Sequence, residues 1–286
     1  MNARGFAPHP AVRWAIGLVV IVLFAIPIVS MAEYTLRDAT TGGHSLVHWF
    51  DLFDPAKAGT YRPIWTGLGN SLVLAVVTVA IVLLLLAPTM VLVELRFPKL
   101  KRPFEFLALL PISIPAIVLV VGLAPIYLVI GRTIGTGIWP LAFAYGVTVL
   151  PFAYRAIQAA IDATELRTLA EAARSLGAGW PAVLLQVFAP NLRTGLLAAS
   201  LISVAVVLGE FTIASLLNRQ NLQTALVVVG KQDPYASVIL SLLALAFAFV
   251  LLVVIGRIGG GTPRARRTGR TARTAPAPTR PPKDQP

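Results

Sequence analysis

Two scarcities define this 286-residue chain: it has no cysteine, and only 13% of its residues are charged. Without cysteine, the chain can form no disulfide, thiolate metal site, iron–sulfur cluster or cysteine nucleophile. Soluble domains carry about 25% charged residues. Because 57% of the residues are hydrophobic, a soluble core of this length could not bury them all. The composition therefore indicates that the bilayer is the solvent.

Six apolar runs reach the roughly 20 residues that a membrane-spanning helix needs. Several contain proline, which we interpret as kinks because neighbouring helices can satisfy the freed carbonyl groups. The sequence thus predicts an all-α, polytopic membrane protein with about six transmembrane helices. The runs cover about 12–31, 70–93, 105–130, 138–158, 193–217 and 236–256. The prolines are Pro27, Pro88, Pro111, Pro115, Pro125 and Pro151.

The first run has a second interpretation, as a cleaved signal peptide. Arg13 precedes it, and Ser30-Met31-Ala32 is a passable cleavage site. The apolar stretch is longer than a usual signal core, and five further spans follow it. We therefore favour an uncleaved first span, and the topology downstream is the same in either case.

Lysine and arginine are distributed unevenly between the segments that join the runs. Eighteen of the 24 lie in alternate segments on one side, and six lie in the segments between them. By the positive-inside rule, both termini of a multi-pass membrane protein are expected in the cytoplasm. The predicted parts are a cytoplasmic N-terminus (1–11), a membrane domain (12–256) and a basic tail (257–286).

The basic tail is rich in Arg, Pro, Thr and Ala and cannot form a packed core, so we expect it to be disordered. Beside a membrane span, its charge favours anionic membrane lipid over nucleic acid as the partner. In the long outer segment, His44, His48 and Asp51 could hold zinc, since histidines four apart share a helix face. We favour a solvated loop there, with no metal.

A polar loop, residues 162–190 and hereafter the docking loop, separates the fourth and fifth runs. Leucines and alanines repeat at helical spacing in its first half, and Gly177 follows where a helix commonly ends. Trp180-Pro181 then restarts the helix, and Pro190 is expected to end it. The mixed acids and bases suit a protein partner better than a lipid surface. The predicted apolar face consists of Leu166, Leu169, Ala173 and Leu176.

The spacing Glu171-Ala172-Ala173-x-x-x-Gly177, then nine residues and Val187-Phe188-Ala189-Pro190, resembles the EAA loop of binding-protein-dependent ABC importer permeases. Ala189 departs from the family's leucine. The stretches Gly69-Asn70-Ser71-Leu72 and 110–115 are also similar to the family, and the resemblance covers about 60–256. It implies the type I ABC importer (MetI-like) permease fold, with its core at about 60–256.

The resemblance also implies roles, partners and a location in the bacterial plasma (inner) membrane. The loop would be a coupling helix on an ATPase subunit, with Glu171 as an anionic contact and Ala172 and Ala173 allowing close approach. Gly177 would permit the turn, and Pro190 would close the motif. The implied partners are two ABC ATPase subunits, a second permease in a heterodimer and an extracytoplasmic solute-binding protein. ATP and magnesium would be bound by the ATPase, and this chain would need no cofactor.

Gly209-Glu210-Phe211 places a carboxylate in the fifth run. An acid inside a membrane is a functional candidate by default, so these residues are candidates for the translocation path. A buried, hydrogen-bonded Glu210 that fixes helix packing is the alternative. The surrounding LGEFTIASLL is most similar to the spermidine/putrescine-type branch. Permeases for iron, thiamine, sulfate and molybdate remain alternatives.

Two other functional classes fit less well. No lysine is followed by Ser or Thr, so the chain has no phosphate-binding loop of that type, and no intramembrane His or Asp pairs with a Ser as in a hydrolase. An ion-coupled secondary transporter usually needs several buried acids or histidines, and Glu210 is the only clear one. Such a carrier has no need for a docking helix. We therefore expect a permease without catalytic activity.

Overall fold

The computed structural model describes residues 10–38 and 42–259. Within these residues every regular element is a helix, and the only β-type pairing is the isolated bridge between Arg37 and His44. The all-α prediction is confirmed. Most of the predicted N-terminal segment and nearly all of the basic tail lie outside the described residues.

Fourteen α-helices can be assigned in the described part of the chain. Short 3-10 or π-helical turns join several of them directly. The α-helices are α1 (Pro10–Leu36), α2 (Val47–Asp51), α3 (Ala58–Ile81), α4 (Ala87–Arg96), α5 (Lys101–Leu109), α6 (Ala116–Thr133), α7 (Leu141–Asp162), α8 (Leu166–Ser175), α9 (Trp180–Ala182), α10 (Ala189–Asn191), α11 (Arg193–Gly209), α12 (Thr212–Leu216), α13 (Leu222–Gly230) and α14 (Pro234–Gly259).

The second predicted span belongs to one continuous helix, Pro55–Arg96, which is 42 residues long. It begins well before residue 70, because Asp54 accepts a hydrogen bond from the Ala56 N–H (2.9 Å) and starts the first turn. A π-helical stretch, Val82–Leu86, joins α3 to α4 just before Pro88. Proline has no N–H to donate into the preceding turn, and π-turns commonly accommodate such a defect.

The third predicted span is broken rather than kinked. After α5, a 3-10 turn covers Leu110–Ser113, and Ile114 is extended (φ −100°, ψ 120°) before α6 starts at Ala116. A residue that precedes proline disfavours the helical region, and the extended Ile114 before Pro115 follows this preference. The prediction that Pro111 and Pro115 are kinks is therefore wrong. The other predicted prolines lie within helices, namely Pro27, Pro88, Pro125 and Pro151.

Fewer helices are long and apolar enough to cross a membrane than the six apolar runs predicted. Among the described residues, three helices qualify alone: Ala11–Leu36, Pro55–Arg96 and Ala116–Thr133. Trp180–Asn191 and Arg193–Gly209 form a fourth if the bent pair counts as one span. The apolar part of α14, Pro234–Val250, is shorter. The fold is a polytopic membrane domain built from several apolar helices.

Helix α7 is the centre of the core, with ten buried residues. It packs closely on α11 at Gly195, where a Cβ atom would lie only 2.5 Å from Ala160 Cβ and 2.8 Å from the Ala156 carbonyl oxygen. By contrast, none of the apolar window of α1 is buried. The docking loop leaves the C-terminal end of α7, so its base is attached to the best-packed helix of the fold.

Candidate functional site

The first half of the docking loop is the amphipathic helix α8. Leu166 and Ala170 are buried, and Leu169 and Ala173 are half-buried, so positions i, i+3, i+4 and i+7 form its inner face. The sequence placed Leu176 on this face too, and that assignment is wrong. Leu176 follows the helix and is 89% exposed.

Glu171 and Ala172 lie on the outer side of α8 and are exposed, whereas Ala173 packs partly against the core. The helix ends at a left-handed glycine: Gly177 has φ +85°, and its N–H donates to the Arg174 carbonyl at 2.9 Å. The Ala178 N–H donates to the Ala173 carbonyl at 3.1 Å. Residues with a side chain rarely adopt this φ, so the turn favours glycine, as the sequence predicted.

The second half of the loop restarts at Trp180 with Pro181 in the first turn, as predicted. A π-helical stretch, Val183–Phe188, then continues into α10. Pro190 therefore lies within α10, so the prediction that it ends the helix is wrong. The chain turns at Leu192 instead, where Trp180–Asn191 and Arg193–Gly209 meet at 78°.

An ion-pair group fixes the base of the docking loop. Lys101 Nζ lies 3.0 Å from Glu94 and 3.2 Å from Asp162, which is the last residue of α7. Gln158 also donates to Asp162 at 2.8 Å. Hydrogen bonding to Glu94, and then to Asp162, raises the pKa of Lys101. These contacts connect α4, α5 and α7 where the loop begins.

The second predicted site centres on Glu210. The sequence placed this residue inside the fifth membrane helix, but it lies between two helices. Glu210 is extended (φ −82°, ψ 124°) between α11 and α12. Its carboxylate accepts hydrogen bonds from the Ile213 N–H at 3.0 and 3.1 Å, so it satisfies a free backbone donor at the start of α12. The hydrogen bond agrees with the alternative in which Glu210 fixes helix packing, although Glu210 is half-buried and not fully buried.

Gly209, Glu210 and Phe211 have different surroundings. Gly209 lines a cavity of about 410 Å³ between α3, α11, α13 and α14, whose walls are mainly leucine, alanine and aromatic side chains. Neither Glu210 nor Phe211 lines this cavity. Phe211 is 40% exposed. The three predicted path residues are therefore neighbours in the chain without forming one surface.

Sequence reasoning missed Asn221, which is fully buried at the start of α13. Its side-chain N–H groups donate to the Tyr145 hydroxyl (3.0 Å) and to the Glu210 carbonyl, and its Oδ1 accepts from the Thr224 N–H (2.9 Å). The Asn-x-x-Thr pattern at 221–224 is the available signal, because it is typical of a helix N-cap.

Two residues of α3 hold the same region from the other side. Asn70 donates to the Gln220 carbonyl at 2.8 Å, and Ser71 Oγ accepts from the Leu222 N–H at 2.9 Å. These residues belong to the 69–72 stretch that the sequence singled out. Asn70 holds the break segment, residues 210–221, to α3, and Ser71 holds the first residue of α13 that follows it.

The two histidines of the outer segment do not converge on a common point. His44 Nε2 lies 3.5 Å from Glu33, while the His48 ring stacks on Tyr235 with a centroid separation of 3.8 Å. Among the described residues, no group of three or more His, Cys, Asp or Glu side chains could hold a metal ion.

Comparison with known proteins gives one finding on this arrangement. A model of the family described as binding-protein-dependent transport system inner membrane component matches residues 91–260, more than half of the chain. The matched region includes the docking loop, α11 and the break segment. No curated protein sequence matches the chain significantly.

Proposed function

Because the chain belongs to the binding-protein-dependent transport system inner membrane components, we propose that it forms the translocation path for a small solute and is driven through its docking loop. Membership makes it a multi-pass permease subunit of an ABC importer that works with an ATPase and a solute-binding protein. Permeases of this family are generally not enzymes, so ATP hydrolysis is assigned to the partner.

The exposed side of the docking loop is the observation that carries this proposal. Glu171 and Ala172 face outward, and Leu176 projects an apolar side chain at the tip, although the opposite face of α8 is buried against the core. We take the exposed anionic side chain of Glu171 and the exposed apolar side chain of Leu176 as the two contacts that the loop makes with a partner protein. We assign Glu171 to a basic residue of the ATPase, and Leu176 to an apolar pocket in its surface.

The test compares Glu171→Arg and Leu176→Asp with Glu105→Arg, a matched charge reversal at an exposed position outside the loop. The two loop variants are expected to insert normally but to lose at least tenfold in ATPase recovery with the tagged chain, and in solute uptake. Glu105→Arg is expected to keep both. Unchanged uptake by Glu171→Arg and Leu176→Asp would remove the docking assignment.

For the substrate, we propose a polyamine of the spermidine or putrescine type, supported by the resemblance of LGEFTIASLL to that branch. The same importer could instead carry iron, thiamine, sulfate or molybdate. Mass spectrometry of mildly solubilised membranes would identify the co-purifying solute-binding protein. Titration of that protein with polyamines, iron, thiamine and the oxyanions separates the possibilities, and tight binding of an oxyanion would overturn the polyamine proposal.

We further propose a heterodimer with a second permease, with two ATPase subunits on the cytoplasmic side. Six spans or fewer are too few to enclose a path alone, and the α1 surface is available for a further partner or for lipid. The same co-purification counts the permease chains. Recovery of this chain alone, stable under conditions that preserve known ABC complexes, would favour the ion-coupled secondary transporter.

A further inference from the structure

A groove of about 500 Å³ runs between the end of α4 and the second half of the docking loop. Its walls are almost wholly apolar, and we call it the α4 groove. Aliphatic side chains from both elements face it, and Trp180 and Arg96 stand at one end. It is lined by Pro88, Thr89, Val91, Leu92, Leu95, Arg96, Phe97, Trp180 and Leu184.

Two arginines meet at Trp180. The Arg174 guanidinium lies 5.0 Å from the indole centroid and that of Arg96 lies 5.9 Å from it, both within cation–π range. Both side chains are exposed, and in the part of the chain that the structure describes neither has an acidic partner within 4.0 Å. Two guanidiniums therefore contact the same indole, and neither has a counter-charge in the described structure.

The position of the groove in the fold matches a membrane border. Arg96 is the last residue of α4, only a few residues beyond the predicted span 70–93. Exposed apolar side chains continue from α4 back into the preceding π-helical stretch, within the predicted span, including Leu92 (47%) and Leu85 (59%). Tryptophan and arginine are typical of the level at which lipid headgroups lie.

We propose that the α4 groove binds an anionic membrane phospholipid, with an acyl chain along the apolar wall and the phosphate between Arg96 and Arg174. Guanidinium groups bind phosphate with paired, charge-assisted hydrogen bonds, and a cytoplasmic leaflet supplies anionic lipid to basic sites of this kind. A free anion would satisfy the arginines but leave the groove empty. The proposal rests on the cytoplasmic placement of the docking loop proposed above.

The lipid would have a mechanical role, because its two cationic contacts come from different elements. Arg174 belongs to α8 in the docking loop, whereas Arg96 ends the long helix Pro55–Arg96. One phosphate held by both would tie the loop to that helix and offset the repulsion between the two guanidiniums. Loss of the lipid is therefore expected to loosen the coupling between the loop and the spans.

The test is photolabelling in membrane vesicles from cells that express the full chain with its partner subunits. The probe is phosphatidylglycerol with a diazirine in its acyl chain, and the phosphatidylcholine analogue is the neutral control. Mass spectrometry is expected to place the phosphatidylglycerol label on groove residues such as Leu92, Leu95 and Leu184. The label from phosphatidylcholine is expected to be at least fivefold weaker there.

Three variants sharpen the result. Arg96→Gln with Arg174→Gln removes the charges, and Leu184→Trp fills the groove; each is expected to reduce groove labelling at least fivefold. Arg102→Gln with Arg193→Gln removes two exposed charges of the same side that neither line the groove nor stack on Trp180, and is expected to keep the labelling. Equal labelling by both lipids, or full labelling of the Arg96→Gln and Arg174→Gln variant, overturns the proposal.

Two further outcomes would also overturn it. A cross-link between Trp180 and an ATPase or a second permease would mean that protein, and not lipid, covers the groove. Displacement of the label by millimolar inorganic phosphate, with no effect of acyl chain length, would identify a free anion as the ligand. The labelling needs no transport, so its failure in vesicles where the ATPase still co-purifies rejects the lipid site alone and leaves the proposed function standing.

Discussion

Gly195 is the residue on which the closest helix contact depends. A methyl group there would clash with Ala160 and with the carbonyl of Ala156. We predict that Gly195→Ala destabilises the chain by about 1–3 kcal/mol, because overpacking outweighs the gain in helix propensity. The midpoint of thermal unfolding in detergent should fall.

Gly122→Ala is the matched control for this prediction. No atom outside its own helix lies within 4 Å of the place where the added Cβ would stand. The midpoint of thermal unfolding of the Gly122→Ala protein should stay unchanged or rise slightly, since alanine is the better helix former. A Gly195→Ala protein as stable as Gly122→Ala would show that α7 and α11 can separate at little cost.

Glu210 offers a second test at this scale, because its charge and its hydrogen bond can be separated. We predict that Glu210→Gln retains transport, since an amide oxygen can still accept from the Ile213 N–H, whereas Glu210→Ala lowers uptake more than it lowers recovery of the ATPase. Uptake rates at saturating and at limiting solute measure transport, and co-purification with the tagged chain measures recovery of the ATPase. If Gln is as damaging as Ala, the negative charge itself is required, and contact with a cationic substrate becomes the better account.

At the scale of single elements, the ion pairs of Lys101 connect three helices at the base of the docking loop. The Lys101 side chain is 36% exposed, so we expect Lys101→Met to cost about 1 kcal/mol or less, and the loss to shrink at high salt. Arg102→Gln, one residue along and without an ion pair in the described structure, is the control. An equal effect of both variants would mean that general charge, and not this contact, stabilises the loop base.

The pH dependence of the same contact follows from its sign. The pKa of Lys101 is raised in the folded chain, so its contribution is fully present at neutral pH. The contribution should disappear as the pH rises above 10.5 and passes the raised value. Thermal unfolding measured at pH 8 and at pH 11 should therefore show a larger gap between wild type and Lys101→Met at pH 8.

Sequence periodicity predicted some of these elements well and others poorly. The amphipathic face of α8 and the Gly177 turn follow from local chemistry, and both were predictable. The break at Ile114 was not, because the same residue-before-proline signal at Ala87 and Leu150 leaves those helices intact. The end of α11 at Gly209 was not either, because an apolar run looks the same whether its backbone is straight or interrupted. Asn221 was missed for a related reason: its partners, Tyr145 and Glu210, are distant in sequence.

At the scale of the whole molecule, orientation is the main prediction still to be tested. The absence of cysteine makes single-cysteine labelling free of background. Ala56→Cys and Ala163→Cys both lie at exposed positions, on opposite sides of the predicted membrane. A membrane-impermeant maleimide should label Ala56→Cys in intact cells and Ala163→Cys only after permeabilisation. The reverse pattern would invert the topology and place the docking loop outside.

The length of Pro55–Arg96 has a consequence for how a signal crosses the membrane. At 1.5 Å per residue the helix measures about 63 Å, roughly twice the hydrocarbon thickness of a bilayer. A continuous helix of this length that crosses the bilayer reaches both aqueous compartments. A tilt of about 5° about its midpoint moves both ends by about 3 Å, in opposite directions. We therefore expect that docking of a binding protein at one end of the helix displaces the other end. This displacement needs no chain of side-chain rearrangements between the two ends.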